Sequence, residues 1–166
     1  LSSKKTVKPD LWTLRQLKTV AQYQFGKEFD EILAPDTIQV TFSKTTSKVR
    51  EVLLDGKRLA SIRATDGLYS LGLVGAQRII TATKNPTRRV VVQSDVAEFI
   101  SQGRNVFAKH VVKVDPKILP ADEVVVVSEE DTLLAVGKAQ LSAEYMLAFK
   151  KGVAVKVRYG ADKLDK

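Results

Sequence analysis

Cysteine is absent from the 166 residues and histidine occurs once, at His110. That composition cannot build a disulfide framework, a zinc ribbon, a thiol nucleophile or a histidine-rich metal cage. We therefore expect no metal and no cofactor. Long apolar runs are also missing. No stretch approaches the roughly 18 apolar residues of a membrane span, and residues 1–8 are polar and basic with no apolar segment behind them. The expectation is a soluble, cytoplasmic protein with no membrane partner. Internal repeats and low-complexity tracts are absent. No Gly-x-x-x-x-Gly-Lys-Ser/Thr loop is present to cradle a nucleotide phosphate. Carboxylates and hydroxyls occur at Ser94-Asp95, Asp115 and Asp122-Glu123, but with one histidine no triad spacing supports them, so no catalytic residue is assigned.

What is present is a globular balance of 44% hydrophobic and 28% charged residues. Lys and Arg number 27 against 19 Asp and Glu, a formal charge of +8. The excess is unevenly placed. Residues 1–88 hold 15 basic and 8 acidic side chains, while residues 89–166 hold 12 and 11. A surplus of this kind favours a polyanionic partner, with nucleic acid first among them.

Patterning gives two halves. Asp10 stands at an N-cap position before Leu11, Leu14, Leu17, Ala21 and a terminating Gly26, which predicts a helix over residues 11–24. Residues 37–43 alternate, with Ile38, Val40 and Phe42 on the inward parity. Strands over 50–54 and 58–64 flank the hairpin dipeptide Asp55-Gly56, and Asp66-Gly67 precedes a fourth strand over 68–74. The first half thus reads as α+β, a helix on an antiparallel sheet. The polar, proline-containing stretch 81–88 is the expected boundary, giving domains 1–86 and 87–166.

In the second half, residues 89–93 read as a strand, and Ser94 as the cap of a helix closed by Gly103. Residues 106–114 read as one long strand with Ala108, His110, Val112 and Val114 inward and Phe107, Lys109, Val111 and Lys113 outward. This makes His110 a core or edge histidine rather than a general base. Strands over 123–128 and 133–139 enclose an acidic turn at 129–131 read as solvated. Ser142 caps a helix ending before Gly152, and 153–158 closes the domain with Val153, Val155 and Val157 on one parity and Ala154, Lys156 and Arg158 on the other. The sum is a small, mostly β, barrel-like domain.

The candidate binding residues follow from that layout. Gly103, Arg104, Asn105, Phe107 and Lys109 combine phosphate, base-edge and stacking chemistry within seven positions. Lys150, Lys151, Lys156 and Arg158 gather charge near one end of an otherwise nearly neutral half. Lys44, Lys48 and Arg50 form a second, less specific cationic loop among hydroxyl side chains.

These same residues carry a resemblance. Residues 103–112, then Asp122-Glu123-Val124, Leu134-Ala135-Val136-Gly137-Lys138-Ala139 and residues 146–158 resemble a PUA domain. Tyr23-Gln24-Phe25-Gly26, Leu54-Asp55-Gly56, residues 62–68, Gly75-Ala76 and Arg88-Arg89-Val90-Val91-Val92 resemble the domain just before PUA in archaeal archaeosine tRNA-guanine transglycosylase. The resemblance spans about residues 11–160. It implies a PUA pseudo-barrel that grips structured RNA, typically tRNA near its acceptor end, through Gly103–Lys109 and Lys156–Arg158. That family's catalytic barrel, with its aspartate nucleophile and cysteine-rich zinc site, has no counterpart in these residues. The expectation is a non-catalytic RNA-binding protein of tRNA modification, working with a separately encoded transglycosylase subunit. The alternative is a ribosome- or translation-associated PUA factor without a modification role.

Overall fold

Asp10 starts the first helix. Its side chain accepts a hydrogen bond from the Thr13 backbone N–H at 2.7 Å, and that bond holds the carboxyl below its usual pKa. In the computed structural model, which describes residues 5–164, helix α1 (Leu11–Phe25) runs to Gly26 as its spacing predicts. It buries Leu17, Ala21 and Phe25. The chain divides into two units, Leu1–Arg78 and Ile79–Lys166.

In the first unit, strands β1 (Gln39–Phe42), β2 (Val49–Leu54), β3 (Lys57–Ile62) and β4 (Tyr69–Leu71) form an antiparallel sheet in sequence order. Asp55 and Gly56, at φ 52° and 77°, make the tight hairpin between β2 and β3. A short helix α2 (Phe29–Leu33), not anticipated from sequence, brings Phe29 against Phe25 with ring centroids 5.5 Å apart. Five residues are too few for a helical period to declare itself. Tyr69 joins the same cluster, its ring 6.3 Å from Phe25. The Tyr69 hydroxyl donates to the Leu17 carbonyl at 2.8 Å, and burial pushes its pKa well above the ordinary phenol value. Helix and sheet are thereby pinned together at a buried point.

Two local expectations for this unit fail. The parity of residues 37–43 breaks because the register shifts between Thr41 and Phe42, so Thr41 is buried and Phe42 is 44% exposed. The fourth strand stops at Leu71 rather than continuing to Val74, and Leu73 opens helix α3 (Leu73–Ala82). Here Gly75 decides the structure. A Cβ at that position would sit 2.2 Å from the Leu59 carbonyl, a closeness of helix to strand backbone that only glycine permits. Read along the sequence, Gly72 and Gly75 look like helix breakers, and only the packing shows why they are there.

The second unit is a six-stranded sheet. Its strands are β5 (Arg89–Val92), β6 (Val106–Phe107), β7 (Val111–Val114), β8 (Glu123–Val127), β9 (Leu133–Ala139) and β10 (Val153–Gly160), in the order β6-β10-β9-β8-β5-β7. Only β5 and β8 pair in parallel. The two strands at the ends of this order, β6 and β7, are joined by the three-residue 3₁₀ turn Ala108–His110. The sheet must therefore curl until its edges nearly meet, giving a nearly closed barrel. Val90, Val92, Val106, Val124, Val126, Met146 and Val155 are among its filling. Helices α4 (Ala97–Ser101) and α5 (Ala143–Ala148) are both short, and Ser142 caps α5 by accepting from Tyr145 N–H. The architecture is the expected one: helices with a four-stranded antiparallel sheet, then a mostly β pseudo-barrel.

The barrel's corners overturn the simple parity. The 3₁₀ turn changes the phase of residues 106–114, so Val111 is buried while Val112 is 43% exposed, the reverse of the alternation. Phe107 and Lys109 do point outward, Ala108 and Val114 inward. His110 is half-buried, its Nδ1 3.4 Å from Gln93 Oε1. In β10, the register shift between Val153 and Val155 places both Ala154 and Val155 in the core. Ser94 does not cap α4; it begins a 3₁₀ turn, and its hydroxyl donates to Glu129 Oε2 at 2.8 Å. The acidic turn is more than solvated, because Asp131 accepts from Arg89, whose side chain is fully buried, at 2.7 Å.

Candidate nucleic-acid interface

The pairing of β6 with β10 brings the two predicted stretches together. Phe107 stands opposite Val153, and the Ala108 N–H donates to the Gly152 carbonyl at 2.9 Å. Gly103, at φ 108°, follows α4 and turns the chain into the loop that carries Arg104 and Asn105. That loop is fastened to β10, since Asn105 Oδ1 accepts from the Val157 N–H at 2.9 Å. Its seat is Gly160. A Cβ there would lie 2.2 Å from the Ser101 carbonyl and 2.6 Å from the Gly103 nitrogen.

Around this seam the side chains separate into two groups. Phe107 is 47% exposed, and Arg104, Lys109, Lys150, Lys151 and Lys156 are exposed. The Arg104 guanidinium lies over the Phe99 ring, 5.8 Å from its centroid, which pre-arranges a planar cation above an aromatic face. Arg158 is different. It sends two N–H groups to Glu123 Oε1, one of them at 2.7 Å, and Glu123 is 1% exposed. Asn105 and Arg158 are thus committed to the scaffold, while the lysines and Phe107 face outward.

Some neighbours escaped the sequence reading. Tyr145 and Phe149 stack with centroids 5.0 Å apart, and both are largely exposed just before Lys150 and Lys151. Their i,i+4 spacing was the available signal, hidden by the apolar run that carries buried Met146 and ends at Phe149, the residue after α5. Phe99, half exposed under Arg104, was not singled out among the apolar residues of that helix.

Beneath the seam lies a buried ionic scaffold. The Arg88 N–H donates to Asp115 Oδ2 and its guanidinium to the Glu123 carbonyl, both at 2.7 Å. Burial lowers the Arg88 pKa, and Asp122, Asp115 and Glu123 oppose that shift. Arg89 bonds Asp131, the Thr83 hydroxyl and the carbonyls of Ile80, Thr83, Lys84 and Thr87. Among the described residues no group of three or more His, Asp and Glu is placed to hold a metal ion, and no helix is long and apolar enough to cross a membrane.

A curled six-stranded β unit with a cationic, aromatic-bearing seam, preceded by a helix-and-sheet unit, defines a two-module protein of the PUA class. Residues 88–160 match the PUA domain family, and residues 15–86 match the patch-forming domain C2 of tRNA-guanine transglycosylase. The chain carries these two domains in the order found in the C-terminal part of archaeal tRNA-guanine(15) transglycosylase. It is 42% identical to that enzyme of Pyrococcus abyssi over 147 residues, covering 89% of this chain and 25% of the relative. With the Methanobrevibacter smithii enzyme it shares 43% identity over 151 residues, 90% of this chain and 23% of the relative. The chain therefore spans about a quarter of the curated relatives it matches, the C2 and PUA portion. In fold it is similar to a hypothetical protein of Pyrococcus horikoshii, with a TM-score of 0.76, 23% identity and 95% of each chain covered. A conserved PUA domain protein from Thermoplasma acidophilum gives 0.65 at 22% identity, covering 95% of this chain and 93% of that one.

Proposed function

We propose that this chain binds tRNA, gripping it along the β6–β10 seam in the service of archaeosine-type guanine exchange by a transglycosylase catalytic domain. The observation that supports the reading is the pairing of β6 with β10, which sets the segment carrying exposed Phe107 and Lys109 against the segment carrying exposed Lys150, Lys151 and Lys156. The lysines neutralise phosphates, Arg104 and Phe99 offer a stacked planar cation, and Phe107 offers a ring face to an unpaired base. Asn105 holds the loop and Arg158 holds the strand, so both act on the RNA through the shape of the seam. The similarity to archaeal tRNA-guanine(15) transglycosylases supports tRNA as the RNA and guanine exchange as its context.

Filter binding of tRNA over a salt series tests this. Replacing Lys109 and Lys156 by Ala should weaken binding and flatten the log-affinity against log-salt slope by about 0.7 to 0.9 for each phosphate contact removed. Unchanged affinity and slope in the double variant would refute the placement. Copurification separates contexts: a transglycosylase catalytic domain supports the modification role, and ribosomal particles replace it with a translational one.

A further inference from the structure

The C2 unit contains an open cleft of about 710 Å³ lined on one side by α1 and on the other by strand and turn residues of the sheet. Trp12, Arg15 and Val20 form the helical wall, and Phe42, Lys48 and Ile62 the opposite one. An adjoining hollow of about 680 Å³ shares Lys48 and Ile62 and adds Arg50 and Arg63. Two features mark these walls. Both aromatic rings are open to solvent, Trp12 at 68% and Phe42 at 44%. Phe42 is turned outward by the register shift after Thr41; regular alternation would have sent it into the core. The charges lining the first cleft are of one sign. Arg15, Lys48 and Arg50 carry no ion pair among the described residues, and Asp66, which lines the adjoining hollow, is tied to Arg63 at 3.2 Å.

Two exposed rings flanked by unpaired cations match the chemistry of a nucleic-acid strand: a π-face for a base and positive charge for its phosphates. A protein surface fits less well, because the centres of protein interfaces are depleted of charge. We propose that this cleft is a second RNA contact, taking an unpaired nucleotide of the bound RNA. The base stacks on Trp12 and Phe42, and the flanking phosphates meet Arg15, Lys48 and Arg50. The inference rests on the RNA-binding reading and extends it to the unit that holds most of the basic excess, with 13 basic and 8 acidic side chains over residues 1–78.

Trp12 is the single tryptophan of the chain, so its fluorescence reports on this cleft alone. Titrating the full chain with tRNA, and with a single-stranded oligoadenylate, should quench that emission saturably, and added salt should reverse it. Trp12→Ala should weaken filter-binding affinity for the oligonucleotide about tenfold, as loss of one stacked base implies. Arg15→Ala with Lys48→Ala should flatten the salt slope by about 1.4. Circular dichroism should show that these exposed substitutions leave the fold intact. Unchanged emission together with unchanged affinity in both variants overturns the inference. If the seam variant Lys109→Ala with Lys156→Ala still weakens tRNA binding in that case, the RNA-binding reading survives alone. Failure of the wild-type chain to bind any RNA overturns both. Cleft variants that keep full RNA affinity but lose a copurifying protein assign the cleft to that protein and overturn the RNA contact.

Discussion

The Arg158 guanidinium on β10 reaches across β9 to the carboxylate of Glu123 on β8, with two N–H groups on one oxygen. Glu123 is 1% exposed and the Arg158 side chain 27%, so the carboxylate is the buried member of the pair. Removing the arginine takes this counter-charge from a carboxylate held away from water. Arg158→Ala should lower unfolding stability by about 3 kcal/mol in urea titrations, and Arg158→Lys should recover only part, because an ammonium cannot repeat the two-pronged contact. The folded Arg158→Ala protein should lose less tRNA affinity than the Lys109 and Lys156 double variant.

Arg89 and Asp131 form the second buried clamp. The Arg89 side chain is 0% exposed and its bonds gather the carbonyls of residues 80–87. Arg89→Met keeps the volume but takes the arginine's donors from those carbonyls and its charge from Asp131, which retains the bond from the Asn85 amide at 2.9 Å, and should cost about 3 kcal/mol in chemical denaturation. Asp131→Asn retains an acceptor and should cost clearly less.

Tyr69 gives a pH signature. Its hydroxyl donates to Leu17 O, and burial raises its pKa. Up to about pH 10 the phenol is neutral in folded and unfolded chains alike. Above that value the unfolded chain releases a proton that the folded chain keeps, so stability falls as pH rises. Denaturation at pH 9 and 11 should show this loss, and Tyr69→Phe should reduce it while costing about 1 kcal/mol at neutral pH for the missing hydrogen bond.

Gly160 links stability to the seam. The Cβ of Gly160→Ala would meet Ser101 O at 2.2 Å and Gly103 N at 2.6 Å, both of them backbone atoms. The loop carrying Arg104 and Asn105 must shift, so the variant should lose about 1 to 3 kcal/mol. It should also weaken tRNA binding several-fold at temperatures where it remains folded. Normal affinity in the folded variant would show that loop geometry is not part of the grip.

The sequence by itself determined the elements whose signals are local. Asp10 and Ser142 are caps, Asp55-Gly56 is a hairpin, and the strands of β8 and β9 are near-continuous apolar runs, because each is decided by neighbours a few residues away. The two-part organisation, the barrel-like second half and the outward facing of Phe107 and Lys109 were legible for the same reason. Tertiary structure decided where alternation stops. The turn at Ala108–His110 is set by closing a curled sheet, the shift after Thr41 turns Phe42 out, and α3 exists because Gly75 lets a helix touch the Leu59 backbone. It also decided which charges are free. Along the chain Lys156 and Arg158 look alike, two cations on one parity of a strand. Only the fold puts Glu123, two strands away, within reach of one of them, because burial of a carboxylate demands a partner and the twist of the sheet supplies Arg158.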